Sequence, residues 1–167
     1  LVPEIGLTPQ TVNRFRRRFP DTPIMLWHSA LTDNERLQTW RFCEKGSCAI
    51  VIGTRSSIFL PFLSLGMIIV DEEHDSSFKQ QDTLRYHARD LAAYRAYQHN
   101  IPLVLGSATP ALETLHKAIN NKYQLLSLTE RAQTSTDNQF QLMDMKGQPE
   151  QAGIAHASLA YMRQHLE

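Results

Sequence analysis

Short apolar runs alternate along the chain with stretches whose apolar residues return every three or four positions. That is the pattern of buried strands separated by amphipathic helices. One run, Met67-Ile68-Ile69-Val70, passes without a break into Asp71-Glu72-Glu73-His74. It reads as a strand covered on both faces, as in a parallel sheet flanked by helices. Ile24 to His28, Cys48 to Ile52, Pro102 to Leu105 and Tyr123 to Leu128 read as further strands. Thr8-Pro9 opens a first helix, with Thr8 at the N-cap, Leu7 and Val12 at the staple positions, and Val12, Phe15 and Phe19 on one face. Thr32-x-x-Glu35 is a capping box for a second, with Leu37 and Trp40 inward and Gly46 closing it. Ala88, Leu91, Ala92 and Ala96 keep the period of a third helix. Leu112, Leu115 and Ile119 keep that of a fourth, capped by Thr109-Pro110. Asp75 to Gln81 reads as a polar loop with one aromatic, and Ile58 to Gly66 as a loop. The fold class is α/β.

Beyond Glu130 the composition turns polar and irregular. A linker is expected there, then a short strand at Phe140 to Met145, a turn at Gly147-Gln148-Pro149 and a helix from about Ile154. The boundary divides residues 1–129 from residues 130–167. At 167 residues the chain holds one domain, or one with part of another. Its start at Leu1-Val2-Pro3 reads as the end of a strand already under way, and its close as a helix cut in mid-course, so a fragment is expected.

The 42% hydrophobic content suits a soluble protein with a core. No apolar run reaches the ~20 residues of a membrane span, and no signal peptide is expected. Cys43 and Cys48 are too few for a disulfide scaffold and have no second ligand pair at a zinc spacing, so reduced thiols are expected. Zero net charge excludes a wholesale polycation but not nucleic acid, because a few phosphate contacts serve a neutral domain. The Arg14, Arg16, Arg17, Arg18 cluster would spread over the polar face of the first helix.

The chemistry is expected at the carboxyl edge of the sheet, where the strands stop and the chain turns outward. Asp71 there can hold a hydrated Mg²⁺ through water and Glu72 can orient an attacking water; a solvated acidic turn is the alternative. Pro102 to Leu105 ends in Gly106-Ser107-Ala108-Thr109-Pro110. The stretch from His74 to Ser107 has the length of a strand–helix–strand crossover, roughly 30 residues. A right-handed crossover brings both motifs to one edge, where Ser107 and Thr109 can bond with the acidic group. The amides of Glu4 to Thr8 can hold a phosphate at a helix start, or Thr8 is simply a cap. Gly53-Thr54-Arg55-Ser56 suits a backbone phosphate contact, or is a polar turn.

A strand ending in Asp-Glu-x-His, followed by one ending in Ser-Ala-Thr, resembles the second and third motifs of superfamily 2 helicases, with a DEAH-like box. Six stretches in the same order resemble one family within them, the bacterial primosomal helicases of the PriA type. They are Pro3 to Gln10, Leu26 to Ser29 with Arg36, Gly53 to Ser56, Asp71 to Ser77, Arg85 to Asp90, and Gly106 to Thr114. They cover most of residues 1–131; residues 132–167 resemble the entry into that family's second motor domain less distinctively. The resemblance implies a RecA-like sheet in a first motor domain lacking its phosphate-loop strand, plus the start of a second domain. It implies a 3′-to-5′ DNA helicase using ATP and Mg²⁺ that binds stalled or branched forks and promotes replication restart by primosome assembly. Single-stranded-DNA-binding protein, primosome proteins and the bacterial cytoplasm come with it.

On the matching residues, Asp71 would hold Mg²⁺, Glu72 would activate water, and His74, Ser107 and Thr109 would couple nucleotide to DNA. Glu4, Gly6, Thr8, Gly53, Thr54, Arg55 and Ser56 would grip the DNA backbone. Phe78, Arg85 and Tyr86 belong to a stretch resembling the family's aromatic-rich loop, with Leu84 where an aromatic is often found; Phe78 and Tyr86 remain for stacking. No Gly-x-x-x-x-Gly-Lys-Ser/Thr stretch stands in the chain. In the family that loop lies upstream, and the arginine fingers and zinc cysteines lie downstream. The fragment alone is therefore expected to be inactive, a missing arginine finger itself costing ~10³ to 10⁵ in rate. Another superfamily 2 translocase, or a non-hydrolysing nucleic-acid-binding module with the motor fold, are the alternative readings.

Overall fold

The structure, a computed structural model, describes residues 1–130 and, beyond them, 142, 144, 146–147, 149–151 and 154–165. The chain divides into two compact units, Leu1–Leu125 and Leu126–Glu167.

The first unit is built on two parallel strand pairs. Strand β1 (Ile24–Trp27) pairs with β2 (Ile50–Gly53) in a register that sets Trp27 opposite Gly53. Strand β3 (Ile68–Val70) pairs with a later strand, Leu103–Leu105, setting Val70 opposite Leu105. Leu1-Val2 joins the pairs. The Leu1 amine donates to the Ile69 carbonyl (2.7 Å) and the Asp71 amide to the Leu1 carbonyl (2.9 Å), while the Val2 amide donates to the Gly53 carbonyl (2.9 Å). The spatial order is β1, β2, residues 1–2, β3, Leu103–Leu105, the mixed α/β layering expected of a RecA-like sheet.

Helix α1 (Pro9–Arg18) begins as expected: Thr8 accepts a bond from the Thr11 amide (3.2 Å), proline occupies the first turn, and Val12 is buried. Helix α2 (Asp33–Glu44) carries the expected capping box, the Thr32 amide donating to the Glu35 carboxylate (2.8 Å). Its inward face differs from expectation. Thr39 and Cys43 are buried, whereas Leu37 and Trp40 are exposed. The Thr39 hydroxyl donates to the Leu26 carbonyl (3.4 Å) and Cys43 packs with Cys48 and Leu60, so that face meets β1. Cys43 and Cys48 are free thiols, and burial pushes the Cys43 thiol up to about 12.

The stretch 75–87 is more ordered than a loop. A 3₁₀ turn at Ser76–Phe78 leads into β4 (Lys79–Gln80), which pairs antiparallel with β5 (Tyr86–His87). The stretch from Arg55 likewise begins as a 3₁₀ turn, Arg55–Phe59. Helix α3 (Ala88–His99) packs Ala88, Ala92 and Ala96 onto Ile58, Ile68, Val70 and Phe78. Alanine at each turn lets the helix lie close on the sheet. The strand β6 (Leu103–Leu105) follows, then α4 (Leu112–Ile119).

Three expectations fail here. The β3 strand is not covered on both faces: Ile68 and Val70 are buried, but Ile69 is 51% exposed beside Val104 at 46%. Helix α3 covers one face, and alternation sends every second side chain to the other. Thr109 does not cap α4, which starts later, after Ala111. Tyr123 to Leu128 forms no strand; Leu125, Leu126 and Leu128 lie exposed without a pairing edge.

In the second unit β7 (Glu150–Gln151) pairs antiparallel with β8 (Ile154–Ala155), and α5 (His156–His165) follows. Ile154 thus belongs to a strand rather than to the helix expected from it. The expected strand at Phe140 to Met145, and the linker residues 131–139, fall outside the described residues but for 142 and 144.

Gly53 sits where a side chain has no room. An added Cβ would stand 2.6 Å from the Ser57 Cβ and 2.9 Å from the Trp27 Cβ. Gly53→Ala is expected to lower stability by about 1–3 kcal/mol in urea unfolding, the range for overpacking a tight core. An unchanged midpoint would show that the β2 end relaxes freely.

Candidate active site

The site begins where β3 stops. Parallel pairing puts the carboxyl ends of β3 and β6 at one edge, and bonding continues past them. The Gly106 amide donates to the Val70 carbonyl (2.8 Å) and the Glu73 amide to the Gly106 carbonyl (3.0 Å). The acidic turn is thereby stitched to the loop that carries Ser107 and Thr109. Glu72 turns the chain in the left-handed region, at φ 48°. For a residue with a Cβ this costs of order 1–3 kcal/mol and persists only where the surroundings hold it. The Asp71 carboxylate accepts the Glu72 amide (3.1 Å), which is part of that hold. The turn leaves Asp71, Glu72 and His74 exposed at the edge and sends Glu73 inward, 1% exposed.

His74 meets both hydroxyls of the neighbouring loop. Its Nδ1 lies 2.7 Å from the Ser107 Oγ and its Nε2 3.4 Å from the Thr109 Oγ1. The Thr109 amide donates to the Ser107 Oγ (3.0 Å). The Ser107 Oγ accepts the Thr109 amide in either ring tautomer, and the tautomer of His74 sets which way its own two bonds run. The Glu72 carboxylate stands 3.6 Å from Nδ1. Sequence separation had suggested this group; the structure brings Glu72, His74, Ser107 and Thr109 together.

Buried beneath it is a cluster that sequence reasoning did not single out. Glu73 Oε1 accepts the Ala111 amide (2.7 Å), and Oε2 accepts the Thr114 hydroxyl (2.8 Å) and Arg89 Nη1 (3.1 Å). Arg89 also donates through Nε to Asp90 (3.3 Å) and is itself buried. Burial pulls its guanidinium down, but the bond to Glu73 and the charge of Asp90 outweigh it, and the net direction is up. The pattern Asp-Glu-x-His gives Glu73 no role by position. Its signal is a third consecutive acid with an arginine and a threonine at the starts of the two following helices.

The expected DNA-contacting residues divide. Glu4 and Thr8 are exposed, and Gly6 is half-buried, around a 3₁₀ turn at Glu4–Gly6. Gly53 and Thr54 are buried, leaving Ser56 exposed, its Oγ accepting the Trp27 indole N–H (2.9 Å). Arg55 commits Nη1 to the carbonyls of Ser77 and Lys79 (both 3.0 Å). Phe78 is not offered for stacking: it is fully buried in the core beneath α3. Tyr86 is half-buried, edge-on to Phe59 with centroids 5.0 Å apart, and Arg85 is exposed. Phe59 is an aromatic that the sequence pattern hid.

Residues 1–118 match the DEAD/DEAH box helicase family. The chain belongs to the DEAD/DEAH box helicases. Among curated relatives, the replication restart protein PriA of Haemophilus influenzae is 53% identical over 167 residues, all of this chain and 23% of that protein. Proteins of the same name from Bacillus subtilis and Synechocystis are 48% identical over 146 residues and 50% over 156, or 87% and 90% of this chain and 18% and 19% of theirs. The chain thus spans about a fifth of the length of these relatives.

A helicase of this family implies ATP and Mg²⁺. The edge offers Asp71 and Glu72 as exposed carboxylates, and no group of three or more His, Cys, Asp or Glu among the described residues could enclose an ion. That donor set fits Mg²⁺, which dehydrates reluctantly and is held by one or two carboxylates together with phosphates and water.

His87, just before α3, has a buried Nδ1 without a partner. Burial, with the Arg89 charge beside it, lowers its pKa. A depressed folded value means stability present above the unfolded value, about 6.5, and lost as pH falls through the folded one. His87→Gln should therefore show a smaller loss of urea stability between pH 7.5 and 5.5 than the parent chain. Equal losses would exclude His87 as a source of acid sensitivity.

Proposed function

We propose that this chain is the water-activating and coupling part of the first motor domain of an ATP-dependent 3′-to-5′ DNA helicase that acts in replication restart. The observation that carries the reading is the shared edge: an acidic turn after β3 bonded through His74 to the Ser-Ala-Thr loop after β6. The family membership and the name of the relatives, replication restart proteins, agree with it.

In this reading Asp71 would hold Mg²⁺ through water, and the ion would supply positive charge toward the nucleotide phosphates. Glu72, exposed beside it, accepts a proton from the attacking water. Its left-handed backbone aims the carboxylate off the sheet, so orientation is set before nucleotide arrives. His74 reports the state of that group to Ser107 and Thr109. The Glu4 to Thr8 turn and Ser56 leave the same edge and contact the DNA backbone, with Gly53, Thr54 and Arg55 shaping the second of these loops from within. Arg85, Tyr86 and Phe59 line the hairpin that senses single strands.

Residues 1–129 then belong to the first motor domain and 130–167 to the linker and the start of the second. The phosphate loop, arginine fingers and zinc cysteines come from other parts of the whole protein. Stalled or branched forks, single-stranded-DNA-binding protein and primosome proteins are its partners, in the bacterial cytoplasm. No described helix is long and apolar enough to cross a membrane.

The test is Glu72→Gln in the whole protein. ATP binding should persist while DNA-stimulated hydrolysis falls by ~10² to 10⁴, the usual cost of a lost general base. Hydrolysis at the parental rate would remove Glu72 from the role, and an unaltered parent without ATP hydrolysis would favour a non-hydrolysing module.

A further inference from the structure

We propose that Glu73 is a positioning residue that locks the acidic turn, the 79–87 hairpin and the Ser107–Thr109 loop into one unit, so that nucleotide and DNA are felt together. The proposal deepens the motor reading and rests on it.

Glu73 lies between two residues of the edge, Glu72 and His74, yet points the opposite way. A carboxylate removed from water costs several kcal/mol unless it is well paired, so its three donors constrain it strongly. They come from two different elements. The Ala111 amide and Thr114 hydroxyl belong to the start of α4, directly after the Ser107–Thr109 loop. Arg89 belongs to the start of α3, directly after β5 of the hairpin. Glu73 thus holds the start of α4 through the amide of its N-cap residue and a first-turn hydroxyl, and it holds the start of α3, just after the hairpin, by an ion pair. The near strand is held separately, by Arg55 on the Ser77 and Lys79 carbonyls. A shift of the acidic turn cannot leave either helix start behind without stranding a buried charge.

A merely structural carboxylate would stabilise the fold without affecting how DNA changes the rate. The whole protein is therefore assayed for ATP hydrolysis with and without single-stranded DNA. Thr114→Val removes one donor to Glu73 at nearly constant volume, Thr114→Ser restores the hydroxyl, and Glu73→Gln removes the charge that faces Arg89. Thr114→Val is expected to keep the DNA-independent rate within about twofold, and Glu73→Gln is read by the ratio of its DNA-stimulated to its DNA-independent rate. Both should lose DNA stimulation by about fivefold or more, the lower end of measured coupling between sites. Thr114→Ser should recover it. Parental stimulation in a folded Thr114→Val protein, or a parallel fall of both rates without rescue by serine, would overturn the proposal. Glu72→Gln in the same assay separates the two readings: if it hydrolyses ATP normally, the motor assignment has failed, whatever the Thr114 variants do.

Discussion

The parallel pairing of β3 with β6 is the constraint on which the rest depends. Because Ile68, Ile69 and Val70 lie opposite Leu103, Val104 and Leu105, both strands end at the same level. The backbone then adds two further bonds, through Gly106, before the chains part. A shift of one residue would move His74 by more than 3 Å relative to Ser107, beyond hydrogen-bond reach. It would also turn Ile68 and Val70 away from α3. Register, core and site are thus one condition.

That condition sorts four neighbouring acidic and basic residues into opposite tasks. The left-handed backbone at Glu72 breaks the strand alternation, so Asp71, Glu72 and His74 face outward and Glu73 faces in. The outward group remains solvated, as suits carboxylates proposed to meet an ion and water. The inward carboxylate is desolvated and is stable only because Arg89, Thr114 and the Ala111 amide surround it. Exposed and buried acids on adjacent residues therefore differ in what they can do, although their chemistry is the same.

The hairpin and the loop after β2 extend the same logic outward. Arg55, expected to face nucleic acid, spends a guanidinium nitrogen on two carbonyls of the 77–79 backbone. Phe78 fills the core beneath Ala88 and Ala92, while exposed Phe59 meets half-buried Tyr86 edge-on. The surface proposed to meet DNA is shaped as much by buried and bonded residues, Phe78 and Arg55, as by exposed ones.

Local patterns were legible without coordinates. Most strand and helix positions, the Thr8 cap, the Thr32 capping box and the meeting of the acidic turn with Ser107 and Thr109 follow from short-range stereochemistry and from crossover length. The ordered motifs also point to a helicase family, and the match over residues 1–118 places the chain in one. Burial was not legible in the same way. The inward face of α2, the half-exposed Ile69, the buried Phe78 and the absence of a strand at 123–128 depend on which element covers which face. Glu73 is the clearest case: its three donors lie 16 to 41 residues away in the chain, and only the packing of α3 and α4 against one turn brings them to a single carboxylate.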